Sequence, residues 1–326
     1  MKKIHLYFRE KPADNRFFKG EKHLKDFIKI LMGKNKIGGV KKVFNNLCKG
    51  FDELKINYDI NIPYREVKPN EPVVVLGAGR FSLSGYNIAN PIVAGIGLMT
   101  HPSEWPELFN EYPVAKYLQH SKWANDVYIN YYARENCELW PAGIDTKKWV
   151  RGYNSKTRFD FLIYNKIRWN NETLDSELKN PILKYLKDSG LSYHEITYGH
   201  YTEKEYHKLL RQCKSMIFLC EHESQGIACC EALAMNVPVL AWDQGLCLDP
   251  NRFKWNDPAI PATSVPFFNE YCGMRFNNFA AFESTIEEFW NAVNENKFEP
   301  RSYILENLTL QKSAETMLDI INSVYK

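Results

Sequence analysis

Two glutamates, Glu223 and Glu231, stand with seven residues between them in the run E-S-Q-G-I-A-C-C-E-A-L-A-M-N-V-P-V. Gly226-Ile227 falls between the two acids. A helix beginning there would present free backbone N–H groups and a positive dipole end, which suits a phosphate. One carboxylate just before the helix start and another two turns into it could hold hydroxyls on either side of that phosphate. The residues alone also admit a plainer account, in which Glu223 or Ser224 caps the helix and Glu231 faces solvent.

The flanking segments have the character needed to position these groups. Ser215 to Cys220 is a short apolar run that predicts a buried strand. Glu221 to Gln225 is a polar turn, and Ile227 to Met235 favours helix through its Ala, Leu and Met residues. Pro238 stops that helix, and Val237 to Trp242 predicts a second buried strand closed by Asp243-Gln244-Gly245. Strand, turn, helix and strand make one βαβ unit of a parallel sheet, with the right-handed crossover such units adopt.

The same stretch resembles the E-x7-E signature of retaining GT-B glycosyltransferases, family 4 (glycosyl transferases group 1). The resemblance implies an α/β chain with two Rossmann-like domains facing across a cleft. It implies that Glu223 contacts the donor sugar, that Glu231 holds the ribose, and that Ser224, Gln225, Gly226 and Ile227 surround the donor. Gln225 stands where the family more often has Gly or a Phe-like residue, and Asn236 replaces a common Gly. Neither change removes a proposed polar contact.

Upstream, Ile4 to Phe8 predicts a first strand, and Ile37-Gly38-Gly39-Val40 opens a helical pattern with Val43, Phe44, Leu47 and Phe51 on one face. A Gly pair at a helix start lets backbone approach a phosphate, although it is equally a flexible turn. The resemblance implies that Gly38 and Gly39 face the donor phosphates. Between Lys19 and Gly50 there are nine Lys against Glu21 and Asp26, a local charge of +7 with His23 neutral. Leu24, Phe27, Ile28 and Leu31 fall at helical spacing there, so a basic amphipathic helix that touches a membrane or an anionic acceptor competes with a simply solvated face.

Val73 to Gly79 reads as a strand and tight turn lining an inter-domain cleft. It is not a dinucleotide fingerprint, because Ser82 occupies the third glycine position and no suitable acid follows. Pro91 to Met99 predicts another strand. His101 beyond it lies where open α/β sheets bind ligands, and it resembles the family's sugar-contacting His. His120 is its rival, and a structural His in a loop is the alternative for either. Trp140-Pro141-Ala142-Gly143-Ile144-Asp145-Thr146 resembles the turn that ends the family's first domain, with Asp145 as a cap.

Phe159 to Tyr164 predicts the first strand of the second domain. Lys166 and Arg168 follow it, where the family places fixed cations for the donor diphosphate. The spacing leaves open which of them acts, or whether Lys179 does. Helices are expected over Glu172 to Ser189, Thr202 to Cys213, Ser284 to Glu295 and Leu310 to Tyr325, with a strand over Tyr193 to Tyr198. The expected division is an acceptor domain over 1–150, joined by a returning helix at 310–326, and a donor domain over 151–309.

The chain has 326 residues, which suggests two domains, and a net charge of +3, which gives no reason to expect a nucleic-acid partner. Its eight Cys show no metal spacing and predict small buried apolar groups in a reducing, cytoplasmic setting. No apolar run reaches the ~18 residues of a membrane span. The expected activity is metal-independent transfer of a sugar from a nucleotide-diphosphate sugar to a glycan or glycolipid hydroxyl, with no bound cofactor. A sugar-nucleotide 2-epimerase and a non-catalytic nucleotide-sugar-binding subunit are the alternatives.

Overall fold

A computed structural model describes residues 2–9, 38–77, 79–152 and 156–325, and these form two parallel sheets. The first is built from β1 (Ile4–Tyr7), α1 (Gly39–Glu53), β2 (Tyr58–Ile60), β3 (Val73–Leu76), β4 (Ile92–Gly95), β5 (Val114–Gln119), α2 (Lys122–Tyr132) and β6 (Cys137–Leu139). The second contains β7 (Phe159–Lys166), α3 (Asn180–Asp188), β8 (Tyr193–Thr197), α4 (Glu203–Leu210), β9 (Cys213–Cys220), α5 (Ile227–Ala234), β10 (Val239–Trp242), β11 (Gly273–Phe276) and α6 (Phe279–Asn294). Two helices follow, α7 (Pro300–Asn307) and α8 (Leu310–Val324). The basic helical segment expected before Gly38 lies outside the described residues.

Both sheets are parallel throughout, in the orders β2-β1-β3-β4-β5-β6 and β11-β10-β9-β7-β8. Strands covered on both faces need apolar side chains on both, and β3, β4 and β10 are buried along their whole length. Each order reverses direction once, between β1 and β3 in the first sheet and between β7 and β9 in the second. Chains leaving those neighbouring strand ends diverge to opposite faces and open a crevice, which is where such sheets bind ligands. Lys166 ends β7 and Glu221-His222-Glu223 follow β9, so the second crevice is lined by residues of both segments.

α8 returns to the first sheet. Ala314, Met317, Ile320 and Ile321 join Val43, Phe44, Leu47 and Phe51 of α1 in one core under β1 and β3. All eight cysteines are free, and seven are buried. No helix among the described residues is long and apolar enough to cross a membrane.

Several boundaries differ from expectation for local reasons. β4 stops at Gly95, well short of Met99, because Ile96 (φ +39°) and Gly97 (φ +101°) leave the extended region. The helix expected over Glu172 to Ser189 widens to a π turn at Asp175–Lys179, just before Pro181, whose ring cannot donate to the helical ladder. α6 starts at Phe279, earlier than Ser284, because the Asn278 side chain accepts from Ala281 N at 2.9 Å and caps it. β2, β5, β6, β11, α2 and α7 have no counterpart in the sequence-based expectations.

Candidate active site

Two cavities meet in the cleft between the sheets. The larger, about 510 Å³, is lined by Gly38 and Gly39 of the first sheet's unit and by Lys166, Ser224, Gln225, Gly226, Ile227 and Glu231 of the second. The smaller, about 380 Å³, is lined by His101, Trp123, Arg168, His222 and Trp255, among others. Val40, His120, Glu223 and Ser224 border both.

The floor of the larger cavity is the start of α5. Gly226 has φ +68° and ψ +46°, a left-handed turn that only Gly adopts without cost. No side chain caps this helix. The first N–H groups of α5 have no carbonyl one turn earlier, so they can receive an anion. Opposite them, Gly38 precedes α1, and a Cβ added at Gly38 or Gly39 would meet nothing within 4 Å. Two helix starts from two sheets therefore flank the same space.

Glu223 and Glu231 each pair with a lysine. Glu223 is ion-paired to Lys166, whose ammonium also lies 4.5 Å from the Tyr198 ring centroid. Burial works against the Lys166 charge, but Glu223 outweighs it and holds the ammonium above its ordinary range. Glu231 is buried (3% exposed), not solvent-facing, and pairs with Lys42 of α1. Burial pushes its carboxyl up to about 7, and Lys42 only partly counters this. Lys42 is shared, since it also reaches Glu203 at 2.7 Å, which in turn pairs with Lys148. Burial disfavours the Lys42 ammonium, yet the two carboxylates hold it above its usual range.

Other predicted residues have more particular places. The Gln225 side chain lines the cavity but is committed to the backbone of Ala142, accepting from its N–H at 2.8 Å and donating to its carbonyl at 3.3 Å. It thereby pins the turn at Trp140 to Thr146 against α5. Asp145 in that turn accepts from Lys148 N at 3.0 Å and pairs with Lys49, a structural cap. Lys166 and Arg168 are separated, Lys166 in the larger cavity and Arg168 in the smaller. Lys179 pairs with Asp175 of its own helix at 2.8 Å and lines neither cavity. Gly77 and Gly79 also line neither; a Cβ on Gly97 would meet Gly77 O at 2.6 Å, so Gly77 packs beneath the lining residue Gly97.

The two histidines also differ. His101 Nδ1 accepts from Ser103 N at 3.3 Å and contacts Ser103 Oγ at 2.8 Å. That network places the neutral ring's proton on Nε2, which is buried with no hydrogen-bond partner. Burial holds His101 below its usual pKa despite Asp257 and Glu104 nearby. His101 borders the smaller cavity only. His120 follows β5, borders both cavities, and donates from Nδ1 to the Trp140 carbonyl at 2.9 Å. Its Nε2 is then an acceptor, and burial lowers its pKa to about 4, so the ring is neutral at physiological pH.

Sequence reasoning missed several residues that shape the site. Glu221, 1% exposed, accepts from Arg168 N at 2.7 Å and Trp169 N at 2.9 Å and so fixes the loop that carries Arg168. Trp123 of α2 donates to the Glu223 carbonyl at 2.9 Å. Trp255 reaches across the cleft, stacking on His101 at 4.9 Å and donating to Glu104 at 3.0 Å. Only the adjacency of Lys42 to the Gly pair hinted at its place; the other contacts join distant segments and leave no local pattern.

Neither a family model nor a curated protein sequence matches the chain. Solved structures do resemble it. The apo form of WaaB, a lipopolysaccharide outer core galactosyltransferase, matches with a TM-score of 0.56 over 98% of this chain and 99% of its own, at 9% identity. Sucrose-phosphate synthase from Thermosynechococcus elongatus gives 0.54 over 99% of both chains at 10% identity. WaaG, a glycosyltransferase involved in lipopolysaccharide biosynthesis, gives 0.50 over 98% of this chain and 99% of that one at 11% identity. The chain has the GT-B fold. In a GT-B molecule two parallel sheets face each other across a cleft, and here both cavities lie in that cleft, with their lining drawn from both sheets. The GT-B arrangement also explains why α8 must cross back, since its apolar face completes the first sheet's core.

Proposed function

We propose that this protein is a retaining, metal-independent glycosyltransferase that resembles family 4 and moves a sugar from a nucleotide-diphosphate sugar to an acceptor hydroxyl of a glycan or glycolipid. The observation that carries the proposal is the larger cavity at the second sheet's switch point, where an uncapped helix start, a glycine helix start and Lys166 converge with the buried Glu231 and the partly buried Glu223. Those groups are the complement of a diphosphate flanked by two polyhydroxylated rings. The likeness of the fold to sugar-transferring enzymes supports the same view.

In this mechanism the α5 start, the Gly38-Gly39 backbone and Lys166 bind the diphosphate and offset the charge that grows on it as the glycosidic bond breaks. Glu223, at the border of the two cavities, holds hydroxyls of the transferred sugar. Glu231 holds the ribose hydroxyls, which requires Lys42 to yield part of its ion pair. His120 borders both cavities and is therefore better placed than His101 to contact the transferring sugar, its neutral Nε2 accepting from a hydroxyl. The acceptor enters through the smaller cavity and meets the sugar on the face from which the diphosphate leaves.

The test is thermal stability of the purified chain against UDP, GDP, ADP and CMP and their sugar conjugates, with magnesium or with chelator. A nucleotide at 100 times its dissociation constant should stabilise the fold by about 2.7 kcal/mol. One base should give a shift that is unchanged by chelator and lost in Glu231→Ala. A flat response to every nucleotide would refute the donor site.

A further inference from the structure

We infer that the smaller cavity selects an acceptor bearing an acidic group, a phosphate or a carboxylate, and that Arg168 is the residue that reads it. The inference rests on the transferase reading above and adds the acceptor's chemical class.

The charge balance of the two cavities is unequal. In the larger one, Lys166 and Lys42 are neutralised in place by Glu223, Glu231 and Glu203. In the smaller one, Arg168 has no carboxylate within ion-pair distance among the described residues. The nearest acidic lining groups are engaged elsewhere. Glu223 pairs with Lys166, and Asp249 Oδ1 accepts from Asn251 N at 2.8 Å and Asn251 Nδ2 at 3.0 Å.

Arg168 is also held, not free to wander. Glu221 grips its backbone N–H and that of Trp169, and Trp169 stacks on His222 with ring centroids 5.3 Å apart and planes 11° from parallel. The Arg168 guanidinium lies 4.2 Å from the Trp169 ring centroid. A guanidinium positioned this way presents a planar fork of donors that matches a carboxylate or a phosphate in two parallel bonds. Arg168 is exposed at the cavity wall, and with its face on Trp169 and no carboxylate beside it, its N–H donors are open to an anion entering the cavity.

The rest of the lining suits a sugar ring on which that acid is carried. Trp255 and His101 form a stacked plane at 4.9 Å and 8°, with Trp123 and Tyr128 also in the wall. Flat aromatic faces pack the apolar faces of sugar rings, and the cavity's volume of about 380 Å³ falls in the range of small-ligand sites.

The experiment measures binding of matched sugars, glucose against glucose 6-phosphate and glucuronate, with inorganic phosphate as control, by calorimetry on the full chain and on Arg168→Gln. Transfer to the same sugars is followed by release of nucleoside diphosphate. The acidic sugars should bind and accept better than glucose. Arg168→Gln should weaken them by about 10- to 100-fold, the worth of a charge-assisted pair, while leaving glucose and the nucleotide-induced thermal shift as they were. Binding of inorganic phosphate equal to that of the acidic sugars would deny the sugar part of the proposal. Loss of the nucleotide shift in Arg168→Gln would assign Arg168 to the donor and overturn it, as would equal use of glucose and acidic sugars. The direct binding arm decides the acidic-ligand claim even where no nucleotide stabilises the wild-type chain, the outcome that defeats the transferase reading.

Discussion

Glu231 shows how far a residue's behaviour departs from its type. It is a buried carboxyl in the wall of the larger cavity, sharing one lysine with Glu203, and its pKa is pushed up to about 7. The folded state therefore holds this proton more tightly than the unfolded chain, where an ordinary Glu titrates near 4.3. The stability this contributes is complete below the unfolded value and is lost as pH rises through about 7. Glu231→Gln, which cannot ionise, should match wild type in thermal stability below about pH 4. It should exceed wild type at pH 8 by on the order of 2 kcal/mol. A variant equally or less stable at pH 8 would show that Lys42 keeps the carboxylate ionised without cost. The pair of acids was visible in the sequence at this scale, but the lysines opposing them were not, because Lys42 and Glu231 belong to different sheets.

At the scale of elements, two glycine-started helices face the larger cavity by different means. Gly226 is needed for its backbone, since φ +68° strains any residue with a Cβ, whereas the nearest atom to an added Cβ is Glu223 Cβ at an ordinary 3.7 Å. Gly226→Ala should cost about 1–2 kcal/mol in a denaturant titration through backbone strain. Gly38 has φ −61°, and an added Cβ meets nothing. Gly38→Ala should keep wild-type stability within about 0.5 kcal/mol and weaken nucleotide binding, because its methyl would occupy space at the mouth of the cavity. Equal destabilisation by the two changes would mean that Gly38 serves the fold and not the ligand. α1 was legible from sequence because burying one face imposes a local spacing, and α5, buried all round, through the helix preference of its Ala, Leu and Met residues. The π turn before Pro181 and the early start of α6 were not, since each depends on which backbone groups find a partner.

The whole molecule is closed by α8, which packs on α1 at close range. A Cβ on Gly50 would stand 2.5 Å from the Leu310 carbonyl oxygen and 2.9 Å from Ala314 Cβ, and one on Gly143 would stand 2.8 Å from Leu310 Cα. Two glycines thus let a helix from the end of the chain reach the first sheet. Trp140 Nε1 donates to Ser313 O at 2.9 Å and Ser313 Oγ to Pro141 O at 2.8 Å, fixing its register. Gly50→Val should displace α8 and lower stability by about 1–3 kcal/mol, read from the denaturation midpoint. An unchanged midpoint would show that α8 adds little to the first sheet's core.

Sequence by itself determined the alternation of buried strands and amphipathic helices, the acid-helix-acid segment at Glu223 to Glu231 and the Gly pair at α1. Each of these is written in neighbouring residues, through side-chain periodicity and backbone freedom. Tertiary structure alone decided that Lys42 holds Glu231 and that Lys166 and Arg168 serve separate cavities. It also decided that His120 and not His101 borders both, and that Trp255 roofs His101. Those pairings join residues far apart in the chain, and which cation meets which acid follows from how two sheets oppose their switch points across a cleft.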